Sequence, residues 1–446
     1  MRLTEDERAM LAGAAGEPRR WAIEHQIAVG EFFDAADLVP VSQAHIMADT
    51  ESLGEAGICF LESLAAAPET ERRVRIPTLT DPRGLDFQTY KRLGQTDAMA
   101  ALEARTIAAL KSFGVLMTDT CINYQTILPP TRGEHLAMGD TGVVIYSNSV
   151  FGARSNFEGG PSALAAALTG RTPRYGYHLD ECRRATRHFR LDAQPRDLSE
   201  WGALGGMIGR ACGSYWEVPL IDGIENAPGS DALKHFGAAM ASYGSTALFH
   251  MPGITPEPIE FAGSVPDTVR IGRAELDAFV TAYGATGDKV DVVVFAAPHL
   301  SLVEMAAVAD ALAGRPVHPD TTLLVATSPE IKHAADRMGL TRRIEETGAI
   351  VAAGICAGQS YAGKVLVLDQ AKGGVATAWM LHEMKSRGLV PLALVFNRVN
   401  PILAQGAAFG SVTIVDRFES DVTDLIQTGD ELRIDPAAGV VEILNR

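Results

Sequence analysis

The amino-acid sequence predicts an α/β protein in which a large, multi-layered region is followed by a smaller C-terminal β/α domain. Three observations predict this class. The first half reads as helices joined by glycine-rich and polar loops, short apolar runs alternate with helical segments from about Lys289, and the C-terminal part ends in a hairpin pattern. At 446 residues, 47% of them hydrophobic and 21% charged, the chain is long enough for roughly two to four domains with ample core.

Composition excludes several classes of protein. A net charge of −16 argues against a general binder of nucleic acid, which needs a basic surface. The charged start MRLTEDERAML is unlike a signal peptide and predicts a helix with Thr4 and Glu7 at capping-box spacing. No apolar run reaches the length of a membrane span, and the 5 cysteines are scattered without a CxxC pair. We therefore expect a cytoplasmic protein that binds neither nucleic acid nor membrane; no pattern indicates its oligomeric state.

The elements of the first half follow from periodicity and from turn residues. Apolar spacing predicts a helix over 97–113, and the run GVVIYSNS at 142–149 predicts a buried strand ending in a polar loop. A second strand is predicted in GVLMTDT at 114–120. The segments 194–199 and 222–231 are rich in loop-forming residues.

The second half is more regular. VDVVVFAAP, TTLLVAT and GAIVAAG predict strands, and LSLVEMAAVADALAG and SPEIKHAADRMG predict the helices between them. Such alternation favours a parallel sheet covered on both faces. Further on, the sequence predicts a strand at 363–369, a helix in VATAWMLHEMKSRG, strands in LALVFN and GSVTIVD, and a terminal hairpin in GDELRIDPAAGVVEIL.

One stretch in the first half combines features of an anion site. It runs from Asn148 to Thr172 and places glycines before an alanine-rich helix, so backbone N–H groups and the helix N-terminus can approach an anion. Arginines could grip a carboxylate there in bidentate fashion. The alternative is an ordinary connection with surface arginines. The candidate binding residues of this stretch are Asn148, Ser149, Arg154, Ser155, Asn156 and Arg171.

The cysteines divide into two groups. Cys121 and Cys356 each follow a predicted strand, and thiolates at strand ends can converge on one metal cluster. The alternative is that they are inert buried residues, as most free cysteines are. For Cys59, in the apolar helix AGICFLESLAAA, we expect core packing; Cys182 and Cys212 are taken as structural.

Two further motifs carry polar candidates. His45, His135 and His299 lie near predicted loops, where each is either an acid–base group or ligand or a satisfied structural histidine. The turn at Lys372, Gly373 and Gly374, followed by Thr377, repeats the combination of glycine turn and helix start in the small domain.

Many of these blocks, in one order, resemble the aconitase X family. They include PVSQAHI, LGEAG, MTDTC, GEH, NSVFGARSN, EGGPSALAAALTGRTP, GALGGMIG, ALFHMPGITPE and TSPEIK. The resemblance assigns residues 1–356 to the large catalytic region, and residues 357–446 to the later part of a small swivelling domain. KGGVATAWMLHEM and FNRVNPILAQGAAF are most similar to the fused bacterial members, which dehydrate cis-3-hydroxy-L-proline.

The resemblance implies an aconitase-like fold and a hydro-lyase that converts cis-3-hydroxy-L-proline to 1-pyrroline-2-carboxylate. It implies an iron–sulfur cluster of the [2Fe-2S] type, with Cys121 and Cys356 as ligands. It also implies a substrate site formed by His45, the Asn148–Arg171 candidates and the Gly373–Gly374 turn. Lys372 and Thr377 are then the candidates for the catalytic base.

Two departures from the family pattern bear on these expectations. Ala297 stands where relatives with a three-cysteine cluster often carry cysteine. Cys356 is followed at once by sequence typical of the middle of the small domain. Either the protein has lost the piece between them, or a stretch that belongs between Cys356 and Ala357 is absent from this sequence; we expect the second. A serine in that stretch would compete with Thr377 as base.

Three alternatives stay open. The same fold acts on another hydroxyproline isomer or on a phosphorylated hydroxy acid such as mevalonate 5-phosphate, or the chain is a non-catalytic ligand-binding homologue without a cluster. A nucleotide-binding protein is disfavoured, since neither GxxxxGK[ST] nor a glycine fingerprint in the right context occurs.

Overall fold

The structure is a computed structural model, and it describes residues 1–283, 290–354, 376–426, 430–436 and 438–445. Cys356, Lys372, Gly373, Gly374, the junction at Ala357 and the strand predicted at 363–369 therefore lie outside the described residues.

The first part of the chain surrounds a small parallel sheet. Strands β2 and β3 run parallel, as do β2 and β4, in the order β3-β2-β4, and a separate antiparallel pair joins β1 to β5. The elements are α1 (Glu5–Leu11), α2 (Glu17–Phe32), β1 (Leu38–Pro40), β2 (Ala44–Ile46), α3 (Thr50–Ala65), α4 (Glu69–Arg72), β3 (Thr78–Thr80), α5 (Asp97–Ser112), α6 (Asn123–Thr126), β4 (Ala137–Met138), α7 (Thr141–Ser149), α8 (Gly160–Thr169) and β5 (Arg171–Pro173).

The middle of the chain adds a second parallel sheet, in the order β7-β6-β8. Helix α9 packs extensively on α10, and α10 also packs against the buried helix α7. The elements are β6 (Arg187–Leu191), α9 (Leu198–Cys212), β7 (Pro219–Asp222), α10 (Ser230–Gly244), β8 (Thr268–Ile271) and α11 (Arg273–Thr281).

A third sheet confirms the alternation that the sequence predicts. Strands β9, β10 and β11 are parallel in the order β11-β10-β9. The elements are β9 (Val292–Leu300), α12 (Leu302–Leu312), β10 (Thr322–Thr327), α13 (Pro329–Arg337), α14 (Leu340–Glu345) and β11 (Ile350–Ala353).

The described C-terminal residues form a small β/α unit that packs on the first part. Helix α15 contacts α3, and α16 contacts α2. The strands pair as a parallel β12–β13 and as the predicted antiparallel hairpin β14–β15. The elements are α15 (Thr377–Ser386), β12 (Ala393–Val395), α16 (Pro401–Gly410), β13 (Thr413–Val415), α17 (Val422–Leu425), β14 (Glu431–Asp435) and β15 (Val440–Asn445).

Two predicted strands are wrong. The run 142–149 forms helix α7, because Asp140 caps it by accepting a hydrogen bond from the backbone N–H of Val143. Residues 143–149 are all buried, and a helix that is buried on every side carries no amphipathic pattern. The segment 114–120 touches the first sheet through an isolated bridge between Leu79 and Leu116 rather than as a regular strand.

The expected burial of Cys59 is also wrong. Helix α3 buries Gly57, Ile58 and Leu61, whereas Cys59 points to the exposed side, where its thiol lies 3.9 Å from Arg105 Nη2. The many leucine and alanine residues near Cys59 predicted a helix that is buried on all sides. A helix that packs on one side exposes its other face, and Cys59 lies on that face.

Candidate active site

The carboxyl ends of three parallel strands meet at one edge of the first sheet. Met47 follows β2, Asp81 follows β3, and Gly139 and Asp140 follow β4. In open parallel sheets this edge is the usual place for a ligand, because loops from neighbouring strands converge there.

The carboxyl ends of the third sheet face the same loops. The backbone N–H of His299, near the end of β9, donates to Cys121 Sγ at 3.3 Å, and His45 Nε2 lies 2.8 Å from the carbonyl oxygen of Thr120. At the end of β11, the backbone N–H of Ala353 donates to Asp86 Oδ2 at 3.0 Å. The loops at 81–86 and 119–121 thus lie between the two sheets.

A cleft of about 400 Å³ opens at this junction, between the first sheet and helix α15. Three acidic side chains line it, and none of its described lining residues is basic. The described lining residues are Met47, Asp49, Glu51, Ser52, Asp81, Pro82, Gly84, Ala376 and Met380.

The electrostatics of this junction favour protonated acids. Burial raises the pKa of Asp81 well above its usual range, and the negative charges of Asp140 and Asp49 raise it further. Burial also raises the pKa of the Cys121 thiol, again with Asp140 and Asp81 contributing. Asp81 is only 4% exposed, and its Oδ1 has no hydrogen-bond partner. The acidic side chains of the cleft therefore stabilise a bound cation and destabilise a bound anion.

A buried ion-pair network supports the loops behind the cleft. Arg83 Nη1 lies 2.9 Å from Glu103 Oε1 and 3.2 Å from the carbonyl oxygen of Ala48, and its Nε lies 3.1 Å from Asp119 Oδ1. The side chain of Arg83 is 3% exposed and that of Glu103 is not exposed. The guanidinium of Arg83, on the loop after β3, thus contacts the segment before α3, helix α5 and the segment before Cys121.

Three predicted site residues lie next to the lining of this cleft rather than in it. Thr377 is the first residue of α15 and follows Ala376, which lines the cleft. His45 is fully buried behind Asp81, with 3.7 Å between Nε2 and Asp81 Oδ1, and burial lowers its pKa to about 4. Cys121 is at the junction of the two sheets, as expected of a strand-end thiol. The roles assigned to these residues stay predictions.

The residues of the Asn148 loop are placed differently. Asn148 Nδ2 donates to the carbonyl oxygens of Ser155 and Ala247, and Ser149 Oγ accepts from the backbone N–H of Phe249. Asn156 Nδ2 donates to the carbonyl oxygen of Tyr175. These side chains are buried and bonded to protein atoms, so in this structure they hold the loop together rather than face the cleft.

The two predicted arginines lie away from the cleft. Arg154 bridges to His135 at the start of β4 and pairs with Asp180, whereas Asp140 follows the other end of β4. His135 precedes β4 and Asp140 follows it, so Arg154 and the cleft lie towards opposite ends of this strand. Arg171 Nε lies 3.5 Å from Glu7 Oε1, against the N-terminal helix. The structure does not bring either arginine to the acidic cleft, and their binding roles stay predictions.

Sequence reasoning missed the acidic residues of the cleft. Asp49, Glu51 and Asp81 follow strands of only three residues, AHI and TLT, which are too short for periodicity to reveal. The available signal was a carboxylate directly after a short apolar run, in IMAD and TLTD.

The described residues supply only part of a metal-ligand set. No group of three or more His, Cys, Asp or Glu side chains with ligand geometry occurs among them. Cys121 is the described thiol at the junction, Ala297 stands where the family resemblance leads us to expect a further cysteine, and Cys356 lies outside the described residues. The described part of the chain therefore does not by itself fit a complete cluster site.

Three parallel sheets, an acidic cleft where the loops of the first sheet meet those of the third, and a small β/α unit packed on the first part define a multidomain α/β protein of aconitase-like architecture. The chain belongs to the aconitase X family. Models of that family match its first domain over residues 1–181, its second over 185–281, its third over 290–378 and its swivel domain over 338–443. The predictions of family and fold class are confirmed.

Named relatives and a solved structure agree with this. The phosphomevalonate dehydratase large subunit of Methanothermobacter thermautotrophicus is 36% identical over 357 residues, which cover 79% of this chain and 87% of that one. The cis-3-hydroxy-L-proline dehydratase of Pseudomonas aeruginosa is 32% identical over 363 residues, covering 80% and 62%. The crystal structure of Thermococcus kodakaraensis aconitase X in its holo-form matches with a TM-score of 0.72 and 27% identity, covering 96% of this chain and all of that one.

These relatives are named dehydratases, so the prediction of a hydro-lyase is confirmed at that level. Their names give two different substrates, and the substrate of this chain is a separate question. Across the part of the chain that the structure describes, no helix has the length and apolar character needed to cross a membrane.

Proposed function

We propose that this chain removes water from a small hydroxy acid that carries a cationic amine, with cis-3-hydroxy-L-proline as the leading substrate. The observation that carries the proposal is the cleft, whose described lining includes the carboxyl groups of Asp49, Glu51 and Asp81 and no basic residue. The ring ammonium of cis-3-hydroxy-L-proline is attracted by such a site and offsets the charge of its own carboxylate, whereas mevalonate 5-phosphate brings a carboxylate and a phosphate with no cation, which such a site repels. The relative from Pseudomonas aeruginosa supports this choice of substrate.

The reaction removes the proton from C2 and the hydroxyl from C3. The product is an enamine, which tautomerises to the cyclic imine 1-pyrroline-2-carboxylate, and the hydroxyl leaves as water. A carboxylic acid that stays protonated near neutral pH is suited to give the hydroxyl its proton. Asp81 is the candidate for this acid, since it lines the cleft and since burial and its acidic neighbours raise its pKa well above its usual range.

The other acidic residues are suited to the amine. Glu51 is exposed at the mouth of the cleft and available to a cation, whereas the Asp49 side chain accepts from the backbone N–H groups of Glu51 and Ser52 at 3.0 Å each. Asp49 therefore holds the turn that presents Glu51. For the base that takes the C2 proton we retain Thr377, at the start of α15, and Lys372.

Substrate choice is tested with purified protein and a panel of cis- and trans-3-hydroxy-L-proline, cis- and trans-4-hydroxy-L-proline and mevalonate 5-phosphate. We expect turnover of cis-3-hydroxy-L-proline, and Glu51→Gln should raise its KM about tenfold, the factor expected for a partly desolvated charge contact of about 1.4 kcal/mol. Glu62→Gln, on the exposed end of the same helix, is the matched control. Turnover of mevalonate 5-phosphate alone would refute the amine-substrate proposal.

We also propose that Cys121 is a ligand of an iron–sulfur cluster, of the [2Fe-2S] type that the family resemblance implies. Its position between the two sheets supports this, and no catalytic step is assigned to the cluster. Protein purified without oxygen should contain iron and sulfide, and Cys121→Ser should lower both. Cys59→Ser, which changes an exposed thiol, is the control. Unchanged iron in Cys121→Ser would remove Cys121 from the ligand set.

A second candidate substrate is a phosphorylated hydroxy acid. It is favoured by the phosphomevalonate dehydratase relatives and by a separate cleft of about 430 Å³ at the opposite edge of the first sheet. That cleft is lined by Arg132, Gly133, Gly152, Arg154, Asp180, Arg183, Arg184, Glu257, Pro258 and Glu260. Three of its acidic side chains already pair with these arginines, so we rank it behind the amine substrate. A folded protein inactive on the whole panel would favour the non-catalytic homologue.

A further inference from the structure

We propose that Trp379 and Glu383 of helix α15 are positioning residues that hold the two ends of segment 47–56, so that the acidic cleft takes its shape only when the small domain is docked. The inference rests on the proposed function in one respect, that this cleft is the active site.

The segment in question supplies one wall of the cleft. Met47, Asp49, Glu51 and Ser52 all line it, and they belong to the stretch between strand β2 and the first turns of α3. The structure of this stretch therefore decides where the cleft's carboxylates stand.

Trp379 holds the beginning of the segment. Its indole Nε1 donates to the carbonyl oxygen of Met47 at 2.9 Å, and the side chain is fully buried. The indole lies directly over Gly160, where a Cβ atom would stand 1.7 Å from Nε1. An indole has one N–H donor, which points in one direction, so this hydrogen bond fixes the position of the Met47 carbonyl oxygen relative to α15.

Glu383 holds the end of the segment. Helix α3 is broken at Gly54, whose φ of 59° and ψ of −178° are not helical. The helix begins again after the break, and the backbone N–H of Ala56 donates to Glu383 Oε2 at 2.9 Å. A helix start needs an acceptor for its free N–H groups, and a carboxylate there also complements the helix dipole. Here the acceptor comes from the small domain.

The spacing of the two residues makes them act together. Trp379 and Glu383 are four residues apart on α15, so their side chains lie on the same face, one turn apart. One turn of α15 thus makes a hydrogen bond to the carbonyl of Met47, at one end of segment 47–56, and another to the N–H of Ala56, at the other end. The break at Gly54 separates the first turn of α3, which Asp49 caps, from the rest of the helix. If α15 undocks, segment 47–56 loses both hydrogen bonds, the one from Trp379 and the one to Glu383. The break at Gly54 means that the rest of the helix does not hold the first turn of α3 in place.

The experiment uses the full chain and two readouts, of which the first needs no substrate. Glu383→Ala should speed hydrogen exchange in segment 47–56 about fivefold, the factor that corresponds to loss of an ordinary helix cap. Glu383→Gln keeps an oxygen acceptor for the Ala56 N–H and should restore slow exchange. Arg387→Ala is the matched control, because it removes the partner of Glu383 Oε1 and leaves the cap. Trp379→Phe removes the N–H donor and keeps an aromatic ring, and it should speed exchange at Met47 and Ala48.

The second readout is steady-state kinetics with cis-3-hydroxy-L-proline. Glu383→Ala should raise KM about fivefold, because loss of the helix cap destabilises the segment by the same factor. The KM values of Glu383→Gln and Arg387→Ala should stay near the wild-type value. Wild-type exchange in segment 47–56 of a folded Glu383→Ala variant overturns the inference, whatever the protein's substrate. Faster exchange with unchanged KM overturns the link between the segment and the cleft. If no variant or wild type turns over the substrate, the proposed function fails, and exchange alone decides whether α15 holds the segment.

Discussion

The buried ion pair between Arg83 and Glu103 provides a sharp test of what holds the loops of the cleft. The pair is out of contact with water, and Glu103 Oε2 also accepts from the hydroxyl of Thr50 at 3.0 Å. In Arg83→Met the carboxylate of Glu103 keeps its burial and loses its cation. Burial already raises the pKa of Glu103, and Arg83 opposes that rise.

The magnitude follows from the burial of both partners. Removing one member of a buried ion pair typically costs about 3–5 kcal/mol, because the other charge is left without compensation. For a domain of the size of residues 1–181, each kcal/mol lowers Tm by about 2–4 °C. The lower limit of about 3 kcal/mol therefore predicts a fall of about 6–12 °C in the transition of the first domain.

Differential scanning calorimetry of the full chain is the assay. Arg83→Met combined with Glu103→Leu should recover most of the loss, since it removes the fully buried carboxylate together with its cation and leaves only Asp119, whose side chain is 18% exposed, without Arg83. Arg105→Met is the matched control: Arg105 pairs with Glu55 and Glu62 on the surface, where ion pairs contribute little. A Tm of Arg83→Met within about 1 °C of the wild type, or a double variant no more stable than the single one, would refute the reasoning.

Three further predictions concern other sites. Burial raises the pKa of Glu158 to about 7 from 4.5; the folded state therefore holds a proton that the unfolded state has lost, and this contribution to stability falls as the pH rises from about 4.5 to 7. Glu158→Gln should flatten that slope in urea titrations at pH 5 and 7.5, and an unchanged slope would contradict the assignment. Gly160→Ala, whose Cβ would collide with Trp379, should expose the small domain to limited proteolysis; wild-type resistance would show that the indole can shift. Asp81→Asn should lower kcat by about 10²–10⁴ if Asp81 is the general acid, and near-normal kcat would exclude that role.

The regular part of the fold was predictable from local pattern. Residues 292–353 alternate apolar strands with capped helices, and the structure shows the parallel sheet that this pattern predicts. Helix α5 and the capping box at Thr4 and Glu7 also appear as expected. The errors came where a local signal competes with tertiary burial: Val143–Tyr146 has β-branched and aromatic residues that suit a strand, yet the Asp140 cap and burial on all sides make it a helix.

The candidate site was predictable only in part, for a related reason. Cys121 could be singled out because a thiol after an apolar run is conspicuous, and the structure places it at the junction of two sheets. Arg154 looked equally conspicuous, but the strand direction of β4 puts it at the opposite edge from the cleft. The direction of a strand in the sheet decides at which edge its flanking loops lie, and the amino-acid composition of a loop does not reveal that direction.

The sequence by itself determined the family, the hydro-lyase class and the alternating third sheet, because these depend on motif order and on periodicity along the chain. Only the tertiary structure decided which carboxylates share a cleft, that Cys59 faces outward, and that a tryptophan and a glutamate of the small domain grip both ends of the segment lining the cleft. Those facts depend on contacts between residues as far apart in the chain as Ala56 and Glu383. Such contacts form only once the strands have paired and the helices have packed.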